Sequence, residues 1–180
     1  MSSKTKVVTG VERLSYAHVW EPVAITEGAK PKYSVSLIIS KDDQETISKI
    51  NGAIEEAIQE GISTKFGGKK PNRATLKGGL RDGDVEKDDD PAYKNAYFIN
   101  ANSNTAPQIV DRSVNPILDR SEVYSGCYAR VSITFYAYNV NGNKGIACGL
   151  GNIQKIKDGE PLGGHTTAAA DFKVAEEDFI

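Results

Sequence analysis

Apolar and polar positions alternate most cleanly on either side of one Asn-Gly pair. From residue 126 to 139, and again from 144 to 153, the period is two. Between these runs lies Asn141-Gly142, the pair that a two-residue hairpin turn favours. Pairing Val140 with Asn143 sets Ala137 against Ile146, Phe135 against Cys148 and Ile133 against Leu150, an apolar face suited to a core. The other face places Tyr138 opposite Gly145, Tyr136 opposite Ala147, Thr134 opposite Gly149 and Ser132 opposite Gly151, and Arg130 and Tyr128 continue the row. A slip of one residue would turn one strand's faces over, so side-chain type fixes the register. Glycines beside rings have two readings. The bare strip is a surface on which flat groups stack, or each tyrosine simply covers its neighbouring glycine.

The rest of the chain carries the same two periods. Residues 6–20 read as a first strand with a bulge at Gly10, and Pro22 ends it or confines it to an edge. After a turn-rich connection through Gly28 and Pro31, residues 32–40 alternate Tyr33, Val35, Leu37 and Ile39 with Lys32, Ser34 and Ser36, a half-buried strand. Ser40 and Asp43 resemble a capping pair. Ile47, Ile50, Ile54, Ala57, Ile58 and Ile62 then recur at helical spacing, with Gly61 marking the end. Strand character returns at 93–103 and briefly at 107–111, and 112–122 reads as a loop. The pattern predicts a mainly β fold with one amphipathic helix plugging a side or end of an antiparallel β-barrel. Residues 1–164 form one domain with an insertion at about 63–92, and a flexible acidic C-terminal tail occupies 165–180.

Charge alters that picture only through its distribution. The 180 residues carry a net −2, but six acids and one base make residues 158–180 −5, which leaves +3 on residues 1–157. Within 61–81 stand Lys65, Lys69, Lys70, Arg73, Lys77 and Arg81 with no acid, interleaved with Phe66 and two Gly-Gly pairs. Such a loop suits contact with phosphates. Its counter-reading is a solvated insertion, because six acids follow at 82–90 and neutralise it.

Catalytic and metal chemistry find no footing. Two histidines and two cysteines at unrelated positions make no metal site. No phosphate-binding loop, dinucleotide fingerprint or nucleophile elbow occurs. No enzyme, metal or cofactor is expected. Cys127 and Cys148 do not face each other in the hairpin and read as small core residues of a reduced, cytoplasmic protein. No apolar run is long enough to span a membrane, and residues 1–4 lack a signal-peptide core.

The last five residues, Glu176, Glu177, Asp178, Phe179 and Ile180, join acids to a terminal apolar pair. Beside a net-basic β-domain they look like the acidic tail of single-stranded DNA-binding proteins. The hairpin with its sequel to Gly164 resembles a family of phage single-stranded DNA-binding proteins long catalogued as a domain of unknown function. Residues 80–84, Tyr97-Phe98-Ile99-Asn100-Ala101, Pro107 and Val110-Asp111 match its pattern too. The resemblance reaches from the first strand to Phe172 and implies an OB-type barrel that coats single strands in replication, recombination or repair. One departure stands out: the helix here follows the second strand, whereas a standard OB-fold has it between the third and fourth.

The expected mechanism is stacking of bases on exposed rings while cations follow the phosphates, with little sequence preference. The stacking candidates are Tyr128, Tyr136 and Tyr138, then Trp20 and Tyr16. The phosphate candidates are Arg130, Lys144, Lys69, Lys70, Arg73, Lys77 and Arg81. The tail would compete for the basic groove and recruit replication or recombination proteins, and the protein would be a monomer or homodimer. Competing readings are an assembly β-barrel whose hairpin face is a subunit interface, and an RNA-binding module.

Overall fold

The computed structural model describes residues 3–24 and 26–162. The tail and the positions assigned to it lie outside the described residues. The first strand is interrupted at the expected place. Strand β1 (Lys6–Val8) and strand β2 (Glu12–Val23) lie in turn along the same neighbour, separated by a break around Gly10. Pro22 does not end β2, which runs one residue beyond it. Strand β3 (Lys32–Ser40) has the bounds its alternation predicts.

Helix α1 (Gln44–Thr64) starts three residues later than a cap at Ser40 would place it. Asp43 itself is the N-cap, its carboxylate accepting the amide of Thr46 at 3.2 Å, and the Ser40 hydroxyl accepts only from the Asp42 amide. Nor does Gly61 end the helix. It is a buried position where a Cβ would stand 2.6 Å from the Ala137 Cβ and 2.8 Å from the Phe66 ring. The glycine is there so that the last turns can lie close to the hairpin. Ile50, Ile54 and Ile58 are fully buried on the same face, each contributing about 1.5–3 kcal/mol by leaving water.

The insertion follows. Short strands β4 (Lys77–Gly78) and β5 (Arg81–Asp82) and the single-turn helix α2 (Gly83–Glu86) lead to a 3-10 turn at Pro91–Tyr93. Tyr93 therefore lies outside the next strand, β6 (Ala96–Ser103). Two-residue β7 (Ile109–Val110) precedes the long hairpin of β8 (Tyr128–Val140) and β9 (Asn143–Lys157).

Asn141 and Gly142 both have positive φ (53° and 84°), as a type I′ turn requires. From Val140–Asn143 to Ile133–Leu150 the register is the expected one. Between Val131 and Ile133 it shifts, so Ser132 does not oppose Gly151 squarely. Its hydroxyl instead accepts the Asn152 amide at 2.8 Å, in the space that a Gly151 side chain would need.

Strand β2 pairs with β3, β3 with β6, β6 with β9, β9 with β8, and β8 again with β2. The pairings thus run in a ring, antiparallel except at the Asn102–Gly149 contact of β6 with β9. Inward residues of all five strands, among them Leu14, Leu37, Ile99, Phe135 and Ile153, share one core with α1. Cys127 and Cys148 are free thiols buried in that core, and desolvation pushes the Cys148 thiol up to about 12. Among the described residues no helix is long and apolar enough to cross a membrane.

Candidate nucleic-acid interface

The outer face of β3 and β6 is divided in two by side-chain type. Ser34 lies opposite Asn102 and Ser36 opposite Asn100, whereas Ile38 lies opposite Phe98. The apolar half is roofed by the turn before β6. Tyr93 meets Phe98 edge-to-face at 5.2 Å and bonds through its hydroxyl to the Ser36 Oγ at 3.2 Å. The polar half stays open as a groove of about 390 Å³, whose floor includes Ser34, Asn100 and Asn102 and whose rim includes Tyr16, His18, Arg81 and Lys87. A neighbouring hollow of about 830 Å³ shares Tyr16 and His18 and extends to Tyr124, Pro161 and Leu162.

Two features aim this groove at flat, anionic groups. Tyr16 sits at an irregularity of β2 between Ser15 and His18 with φ +46°, and the residue is 56% exposed. An aromatic residue in that region costs on the order of 1–3 kcal/mol, a strain typical of functional positions. In addition, Lys87 Nζ lies 5.5 Å from the centroid of Tyr16, 5.8 Å from that of Tyr93 and 5.9 Å from that of Phe98. The Arg81 guanidinium is 5.0 Å from the Phe98 ring and pairs with Glu86 at 2.6 Å. The hydrogen bond to Glu86 raises Arg81 above its ordinary value. Rings faced by cations can accept a base on the ring and a phosphate at the cation.

The residues expected from sequence fall in several places. Tyr16 and Arg81 reach the groove. Trp20 is half-buried against the core, and its Nε1 donates to the Val123 carbonyl at 3.0 Å. Tyr136 is half-exposed at 49% beside the C-terminal half of α1, in a depression with Thr5, Glu60 and Lys65. Tyr138 is less open. A Cβ on Gly145 would stand 2.5 Å from the Tyr138 Oη and 2.7 Å from the Lys77 carbonyl, so the ring and β4 already occupy that part of the bare strip.

The basic loop divides likewise. Lys70 pairs with Glu55 of α1 at 2.6 Å, and Arg73 donates to Asn51 of α1 at 3.0 Å. Lys77 reaches Asn143 at 3.4 Å near the hairpin turn, Lys144 stands beside that turn half-buried, and Lys69 is exposed. Arg130 is exposed, its Nε donating to the Thr9 carbonyl at 3.2 Å. Tyr128 is half-buried between Arg13 and Lys157. Some of the following acids do neutralise nearby cations, with Lys41 bridging Asp82 and Asp84 at 2.9 and 2.7 Å.

Sequence reasoning missed His18, Ser34, Ser36, Lys87, Asn100 and Asn102. Ser34, Ser36, Asn100 and Asn102 did carry a signal, as polar outward positions of strands whose inward positions are apolar. Nothing local told that the two strands pair. Among the described residues no cluster of His, Cys, Asp or Glu could hold a metal ion.

Comparisons with known proteins agree on one group. A family model described as the ssDNA-binding protein of Enterobacter phage Enc34 matches residues 5–180. Protein p50 of Acyrthosiphon pisum secondary endosymbiont phage 1 is 29% identical over 182 residues, covering 92% of this chain and 93% of that protein. The single-stranded DNA-binding protein of bacteriophage Enc34, solved in complex with ssDNA, superposes with a TM-score of 0.77 at 28% identity over 89% of this chain and 91% of its own. The bacteriophage T7 single-stranded DNA-binding protein gp2.5 shares the fold, with a TM-score of 0.60 at 15% identity over 96% of each chain.

Proposed function

The chain belongs to the family of the Enterobacter phage Enc34 ssDNA-binding protein, and on that premise we propose that it binds single-stranded DNA in the groove of β2, β3 and β6. The observation that carries this reading is the open groove in which Lys87 and Arg81 face the rings of Tyr16 and Phe98. It is supported by the likeness to a relative solved with ssDNA bound. The ring of pairings β2–β3–β6–β9–β8 supports an OB-type barrel. In such barrels the second and third strands form the usual oligonucleotide face, and here these are β3 and β6.

Bases stack on Tyr16, with Ser34, Asn100 and Asn102 offering hydrogen bonds to base edges or sugar. Arg81 and Lys87 bind phosphates. Tyr128, Tyr136, Tyr138 and Trp20 remain candidates for stacking, and Arg130, Lys144, Lys69, Lys70, Arg73 and Lys77 for phosphate contact beyond the groove. The protein coats single strands without strong sequence preference in phage replication, recombination or repair within the host cytoplasm. It does so as a non-enzymatic monomer or homodimer whose acidic tail, Glu176 to Ile180, competes with DNA and recruits partners.

Fluorescence anisotropy with a labelled oligothymidine tests the reading. The double variant Arg81→Ala/Lys87→Ala should lose most of the affinity. Equal affinity of variant and parent would overturn the groove assignment, and equal binding of duplex would overturn the single-strand assignment. An RNA oligonucleotide of the same length reports whether the sugar is sensed.

A further inference from the structure

A second surface on the same sheet carries cations and a ring but lies outside the groove. The registers place Lys157 on β9 opposite Tyr128 on β8, Tyr128 opposite Arg13 on β2, Arg13 opposite Ile38 on β3, and Ile38 opposite Phe98 on β6. Phe98 is in turn opposite Arg81 on β5. One cross-strand row therefore has a cation beside a ring at each end and an apolar centre. From Arg81 to Tyr128 the row crosses four strand spacings, roughly 19 Å at about 4.8 Å each.

The Tyr128 end is built like the groove end. Lys157 Nζ lies 4.7 Å from the Tyr128 centroid and the Arg13 guanidinium 5.7 Å from it. Arg13 is held by the carbonyls of Gly126 and Glu160, at 3.2 and 2.8 Å. Lys94 shares a shallow depression with Arg13, Ile38 and Tyr128, and Arg130 stands exposed two residues along β8. Elsewhere on the surface Lys41, Lys70, Arg81, Arg120 and Lys155 each have a carboxylate within 4 Å, but among the described residues none lies at that distance from Arg13, Lys94, Arg130 or Lys157. Glu12 also lines the depression but is buried and holds its proton, and Asp84 lies near Lys94, so the four cations outnumber the charged acids around the ring. A surplus of positive charge around one ring is complementary to a phosphate with a base beside it.

We propose that the surface around Tyr128, Arg13, Lys94 and Lys157 is a second contact for the single strand that leaves the groove. This rests on the groove reading and deepens it, because the same strand would then be held at both ends of one row. The footprint lengthens accordingly, and the affinity gained depends on oligonucleotide length.

Lys94 and Lys157 are exposed and, among the described residues, have no carboxylate within 4 Å, so Lys94→Gln/Lys157→Gln should leave the fold intact. Full-length parent and variant are titrated by anisotropy with oligothymidines of about 6 nucleotides, a short footprint for one such domain, and of about 30. For the long strand the variant should bind roughly 5- to 20-fold more weakly at low salt, with a salt slope smaller by about 1.4 for two lost phosphate contacts. The short strand should bind both proteins alike. An unchanged long-strand affinity and slope overturns the proposal, and so does an equal loss on both lengths, which would place these lysines within the groove's own footprint. Failure of the groove reading is read separately, from Arg81→Ala/Lys87→Ala leaving short-strand binding intact.

Discussion

Two faces of this molecule set tyrosines beside small or polar residues, and they use them differently. On the hairpin, the Tyr138 ring and the backbone of β4 fill the space above Gly145, and the Ser132 hydroxyl closes the gap at Gly151. Those glycines serve close approach by the protein's own atoms. In the groove of β2, β3 and β6, the Tyr16 ring is turned outward by an irregular, positive-φ residue, and a lysine rather than a neighbouring strand faces it. A ring already serving as a wall has little face left for a ligand. An exposed ring with a lysine ammonium beside it keeps one.

The comparison breaks first at the groove cations. Arg81→Ala/Lys87→Ala should lower single-strand affinity by roughly 2–4 kcal/mol at low salt with little change in Tm, as two charge-assisted contacts are lost. A next, smaller effect is expected of opposite kind on the hairpin. Gly145→Ala forces a methyl against Tyr138 and the Lys77 carbonyl and should cost about 1–3 kcal/mol of stability, read by denaturant unfolding, while groove binding of a short oligonucleotide stays unchanged.

A change that touches neither face separates stability from binding. Glu12 is buried, 3% exposed, with its carboxyl beside that of Asp43. Burial first, then the Asp43 carboxylate, push it from 4.5 up to about 8, and the hydrogen bond from Glu12 holds Asp43 below its ordinary value. The folded protein thus keeps a proton that the unfolded chain releases near 4.5. Stability should fall as pH rises from there to about 8 and level off above. Glu12→Gln should flatten that slope and raise Tm at pH 8 more than at pH 5, because the amide has no proton to lose.

The smallest effect sharpens the contrast. Tyr136→Ala should weaken binding of a long strand by less than about 1 kcal/mol, below the 1–3 kcal/mol of a fully stacked base expected for Tyr16→Ala. If Tyr136→Ala costs as much as Tyr16→Ala, the two faces are equal partners and the distinction drawn between them fails.

Legibility followed distance along the chain. The hairpin register, the strand at 32–40, the helix and the break near Gly10 were readable because each depends on neighbours a few residues away. Gly61 misled because a glycine needed for approach to Ala137 looks, in one dimension, like a glycine that ends a helix.

The groove was not readable from any one stretch. Ser34 and Ser36 meet Asn102 and Asn100 only because β3 and β6 pair across an intervening helix and insertion. Lys87 reaches the ring of Tyr16 only because α2 and the Pro91–Tyr93 turn fold over the outer sheet. By itself the sequence settled strand periods, turn chemistry and the sign of charge along the chain, since those arise from local sterics and composition. Which polar residues share a surface, and which cations find a carboxylate and which find a ring, was decided by long-range strand pairing, because only closure of the sheet brings those side chains within reach of one another.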